Sequence, residues 1–109
     1  MQLNNPFSRE TKIIYLYRVD CDICGSNQSL ELHHITGRDS DSPLNASVLC
    51  HNCHETMGHN KEEEKKLFTI NLRFLFREHY ELIPDDIIYL QNHLYLWENN
   101  QQLIKWLRQ

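Results

Sequence analysis

What this 109-residue sequence lacks narrows its class before any motif is read. It holds no apolar run approaching the roughly 20 residues that cross a bilayer, so a membrane-spanning helix within it is excluded. Its first residues, MQLNNPFSRETK, show no basic segment followed by an apolar core, so no secretory leader is expected there. With only 3 Gly and 3 Pro it offers no flexible or low-complexity linker, and it has no internal repeat. It also lacks an excess of positive charge: 11 Lys and Arg face 15 Asp and Glu, a net charge of −4, which argues against a nonspecific nucleic-acid coat. The 40% hydrophobic and 24% charged residues are an ordinary globular composition. The length predicts a single domain over residues 1–109, too small to bury a large core and in need of a staple.

What is present supplies that staple. The 4 cysteines fall into two pairs, Cys21-x2-Cys24 and Cys50-x2-Cys53. In the reducing cytoplasm expected for a chain without a leader, such pairs are metal ligands before they are disulfides. Two residues between cysteines let both sulfurs reach one ion, and two such knuckles close a tetrahedral zinc site with no position left for substrate. Gly25 follows the first pair, where the knuckle needs a left-handed turn. A redox dithiol is the competing reading.

The elements follow from pattern. Lys12 to Val19, KIIYLYRV, is rich in β-branched and aromatic residues and predicts a strand. Ser29 to Ile35, SLELHHI, alternates and predicts a second strand, with Ala46 to Leu49 pairing back on it. A helix is expected to begin near Cys50 to His54 and to end at, or run through, Gly58. From Lys61 to Tyr80 the apolar residues Leu67, Ile70, Phe74 and Phe68, Leu72, Leu75 recur at helical spacing, with Lys66, Arg73 and Arg77 on the opposite face. That basic stripe is either a solvated face or a track for phosphates. A last helical stretch should start at Pro84-Asp85-Asp86 with Ile87, Leu90, Leu94 and Trp97 inward, and continue or break at Asn99-Asn100. Tyr89, Tyr95, Trp97 and Trp106 are expected to pack these helices onto the zinc-bearing part.

Five of the 7 histidines lie between His33 and His59. The order CDIC, LELHHI, the Asn of SPLNASVLC, then CHNCHE resembles the HNH endonuclease family over about Cys21 to His59. The resemblance implies an α+β fold: a small, treble-clef-like ββα-metal core at about residues 12–60, stapled by zinc, with added C-terminal helices over about 61–109. It implies hydrolysis of DNA phosphodiester bonds, by nicking or as a dimer, leaving a 5′-phosphate. In that reading His34 is the general base, a role suited to an imidazole near neutral pKa. His33 and His54 ligate one divalent cation such as Mg²⁺, Mn²⁺ or Ni²⁺, and His59 is a candidate third ligand. Asn45 holds the loop that orients His34. Arg38 follows the strand and could contact the scissile phosphate. His51 is expected to pack or face solvent, and His79 and His93 to sit in helices outside the motif.

DNA is the implied partner, with a second protein or a homodimer as further partners, no membrane, and a bacterial or phage-infected cell as the setting. Bound cations would offset the acidic balance locally, and tight DNA binding would depend on another protein. A zinc module that binds nucleic acid or protein without catalysis is the alternative.

Overall fold

The computed structural model describes residues 7–108. In chain order the elements are α1 (Arg9–Ile14), β1 (Leu30–His34), a 3-10 turn (Pro43–Asn45), β2 (Ala46–Cys50), α2 (His51–Thr56), α3 (Lys61–Arg77), α4 (Pro84–Asn92), a second 3-10 turn (Leu94–Leu96) and α5 (Gln101–Leu107). The architecture is small and α+β: one antiparallel pair of strands with helices packed around it. The register places Leu32 opposite Val48 and His33 opposite Ser47. Leu30, Leu32, Val48 and Leu49 of the pair join Leu67, Phe68, Leu72 and Leu75 of α3 in one core, closed by Leu44 and Leu103. Tyr89 is part of that core, and Tyr95, Trp97 and Trp106 pack against it. Among the described residues no helix is long and apolar enough to cross a membrane.

The strand expected over Lys12–Val19 is not formed. Ser8 caps a helix there instead, accepting from Thr11 N at 3.3 Å, and α1 runs from Arg9 to Ile14 before the chain turns. The reason lies at the sheet edge. Asp22 N donates to Val48 O at 2.7 Å, and Asp22 Oδ2 accepts from Val48 N at 2.9 Å. The first cysteine knuckle therefore occupies backbone groups of β2 that a flanking strand would need. Arg18 pairs with Asp22 and lies over the Phe74 ring, 4.6 Å from its centroid, which draws the segment away from the sheet. Tyr15 alone turns fully inward, while Ile13 and Tyr17 remain 58% and 88% exposed.

Several other expectations need adjustment. α2 stops at Thr56, so Gly58 lies between helices. α3 begins on Asn60, whose side chain accepts from Glu63 N at 2.9 Å, with Glu62, Glu63 and Glu64 in the first turn where the helix dipole favours them. It ends at Arg77, not Tyr80. His79 adopts φ 56°, outside any helix, and the bonds Tyr80 N to Leu75 O and His79 N to Phe76 O close a Schellman turn.

α4 buries Asp86, Tyr89 and Leu90, whereas Ile87 and Leu94 face solvent. The expected face is displaced because Asp86 turns inward to Ser42, Tyr80 and Ile83, and because Leu94 lies beyond the end of α4 in the 3-10 turn. His93 follows α4 as its C-cap. The chain breaks at Asn99-Asn100, and Asn100 caps α5 by accepting from Leu103 N at 3.0 Å. Asp86 and Asn71, buried polar residues that interrupt the apolar pattern of α4 and α3, are hydrogen-bonded. Asp86 accepts from Ser42 Oγ, Tyr80 Oη and Ile83 N, and Asn71 donates to Pro43 O at 2.8 Å.

Candidate functional site

The four cysteines come together at the base of the strand pair. Their sulfurs all lie within 4.8 Å of one another, and among the described residues this is the one group of three or more such ligand atoms so close. All four are free thiols. Cys24 Sγ and Cys50 Sγ are 3.7 Å apart. Tetrahedral thiolates about 2.3 Å from a zinc ion stand about 3.8 Å from one another, so the donor set fits that ion.

Local sequence builds each knuckle. Gly25 takes φ 78° and its N–H returns to Cys21 O at 3.0 Å, while Ile23 N donates to Cys21 Sγ at 3.4 Å. Cys50 serves also as the N-cap of α2, its sulfur accepting from Cys53 N at 3.4 Å. Burial alone would raise the Cys21 thiol, but backbone N–H donors bring it down to about 7. Burial and its three sulfur neighbours push Cys53 up to about 12. Four thiolates this close repel one another, so ionising them together requires a cation. The cluster can hold a metal ion such as zinc.

A pocket of about 480 Å³ opens beside it, lined by Glu31, His33, His34, Arg38, His54, His59 and Glu64 with adjacent backbone. β1 brings the two adjacent histidines there on different faces. His33 looks toward α2: its ring centroid is 4.9 Å from that of His54 and 5.8 Å from that of His59. His33 is only 5% exposed, and its Nε2 is buried with no hydrogen-bond partner. Burial, together with the neighbouring histidines, pushes its pKa down to about 4, so it is a neutral lone-pair donor at neutral pH. A buried imidazole nitrogen with no partner, among other imidazoles, suits a divalent cation. His33 and His54 make the tighter pair, and His59 stands further off, on the loop between α2 and α3.

His34 faces the other way. Its ring stacks on Phe7 at 3.6 Å, with 2° between the planes, and its Nε2 lies 3.2 Å from Asp41 Oδ1. Burial lowers its pKa, and the Asp41 hydrogen bond opposes that without overcoming it. An ionised carboxylate only accepts, so Nε2 carries the proton and Nδ1 keeps the lone pair.

Asn45 is fully buried and ties the loop after β1 to α4 through its amide. Its Nδ2 donates to Gly37 O at 2.9 Å and Ser40 O at 2.8 Å. Its Oδ1 accepts from Thr36 N and Thr36 Oγ1, both at 2.9 Å, and from Tyr89 Oη at 2.8 Å. His93, whose Nδ1 lies 2.8 Å from Tyr89 O, places its Nε2 3.1 Å from Asp39 Oδ2. α4 thus clamps the loop that carries Arg38, Asp39 and Asp41. Replacing Tyr89 with Phe removes its hydroxyl's bonds to Asn45 and Thr36 and is expected to cost about 1 kcal/mol, read as a lower urea midpoint at unchanged slope.

Of the residues singled out from sequence, His33, His34, His54, His59 and Arg38 meet at the pocket, and Asn45 lies directly behind it. His51 is exposed, 3.5 Å from Glu31 and 4.0 Å from Glu55. Lys66, Arg73 and Arg77 are exposed on α3. Glu31, Asp41 and Phe7, and the Tyr89 hydroxyl on Asn45, were not anticipated as parts of the site. Only Glu31 left a readable signal, because strand alternation puts it on the face of His33. No family model, curated protein or solved structure matches the chain.

Proposed function

We propose that the chain is a metal-dependent DNA endonuclease of the HNH type, a zinc-stapled ββα-metal core extended by α3, α4 and α5. The observation that carries this reading is the convergence of His33, His54 and His59 around a buried, unpartnered Nε2, in the same pocket as His34. A domain needing only a zinc staple has no use for a second set of imidazoles beside it.

In this reading His33 and His54 hold a divalent cation such as Mg²⁺ or Mn²⁺, with His59 within reach of the same space. The cation, when bound, neutralises charge on the phosphate and on the departing oxygen. His34 takes a proton from water through Nδ1, because Nε2 is committed to Asp41. Phe7 against one face of the ring fixes its plane. Asn45 and Tyr89 keep the 36–41 loop, and so Asp41, in place. Arg38, exposed on the pocket rim, pairs with phosphate oxygens of the strand being cut. The product carries a 5′-phosphate. The net charge of −4 supports a dependence on a second protein for tight DNA binding.

One observation favours the rival, a zinc module without catalysis: among the described residues only the cysteines present a full ligand set within 4.8 Å. The readings part in a plasmid-relaxation assay with zinc-loaded protein and Mg²⁺ or Mn²⁺. The nuclease reading expects nicked circles that disappear with chelator. Intact plasmid at micromolar protein, with both ions, leaves the module.

A further inference from the structure

His54 Nδ1 lies 2.9 Å from Glu31 Oε1. Glu31 sits on β1 two residues before His33, so the side chains of both leave the strand on the side that meets α2. A carboxylate ionised at neutral pH only accepts hydrogen bonds, and Glu31 presents its Oε1 to the imidazole nitrogens of His54 at 2.9 Å and His51 at 3.5 Å. The nitrogen facing it must carry the hydrogen, and in a neutral imidazole the other nitrogen then keeps the lone pair.

We propose that Glu31 is a positioning residue: it locks His54 with its proton on Nδ1, so that Nε2 presents a lone pair toward the space shared with His33. The identity of that space as a divalent-cation site rests on the endonuclease reading; the tautomer does not. A free imidazole in water holds its proton on either nitrogen, so without the carboxylate His54 loses a fixed donor direction. Metal-bound histidines elsewhere commonly have their second nitrogen held by a carboxylate, and losing such a partner weakens metal binding about 10–100-fold. The plainer role for Glu31 is a tie between β1 and α2, since it also faces His51 at 3.5 Å. That role would affect melting and nothing else.

Nitrogen-15 NMR of the histidine rings in zinc-loaded protein separates the two. In the parent, His54 is expected to show a protonated Nδ1 and an unprotonated Nε2. In Glu31→Ala the two signals should shift toward tautomer averaging, and Mn²⁺ affinity should fall about 10–100-fold while zinc content is unchanged. Glu31→Gln, whose amide oxygen can still accept from Nδ1, should keep the tautomer and retain more Mn²⁺ affinity. It also covers the case in which the alanine variant fails to fold.

Unchanged His54 signals and Mn²⁺ affinity in Glu31→Ala, or a parent with its proton on Nε2, would overturn the proposal. A parent that binds no Mn²⁺ removes the endonuclease reading and the cation half of this inference, while the spectra still decide the tautomer.

Discussion

Removing zinc is expected to unfold the chain. The two knuckles tie the segment before β1 to the first turn of α2, and Asp22 within the first knuckle holds the edge of β2 through Val48. Apparent binding free energies of structural zinc are about 10–16 kcal/mol at neutral pH in small zinc domains, comparable with or larger than the about 5–15 kcal/mol that keeps a whole domain folded. A chelator strong enough to extract the ion should abolish the cooperative thermal transition, and added Zn²⁺ should restore it. Cys50→Ser should behave like the stripped protein, because Cys50 is both a ligand candidate and the cap of α2. A chelated protein that still melted cooperatively at the parent temperature would show that the cysteines are not the staple.

The second large effect, on the endonuclease reading, is on plasmid nicking. His34→Ala should lower the plasmid-nicking rate about 10²–10⁴-fold, the usual worth of a positioned general base. Mn²⁺ affinity should remain, since His34 turns toward Phe7 and Asp41, away from His54. His33→Ala should instead lose both nicking and Mn²⁺ binding. Because Phe7 stacks on the His34 ring, the alanine variant opens a gap; His34→Gln fills it and should be as inactive. A His34→Gln protein that nicks at the parent rate would remove His34 from the chemistry.

Local patterns read through to the structure where nothing distant competed with them. The two CxxC knuckles, the individual strands β1 and β2 and the start of α3 all appeared where spacing placed them, because each is set by residues within a few positions of one another. The strand expected over Lys12–Val19 failed for a non-local reason: Asp22 already occupies the β2 edge, so β-branched residues with no partner strand turned helical or stayed exposed. The inward face of α4 was misread because Asp86 is buried against Ser42, 44 residues earlier, a pairing that no periodicity encodes.

The pocket divides in the same way. Its histidines stand out by clustering in sequence. The groups that orient them, Asp41 on His34 and Tyr89 on Asn45, lie 7 and 44 residues from their partners and belong to residue types common on any surface.

On the endonuclease reading, the imidazoles of His33 and His54 form a second metal site, separate from the cysteines; titrating Mn²⁺ into zinc-saturated protein and following the paramagnetic signal decides it. One ion per chain, lost in His33→Ala and kept in His34→Gln, is the predicted result. Zinc-saturated protein that takes up no Mn²⁺, or takes it up equally in His33→Ala, would contradict it.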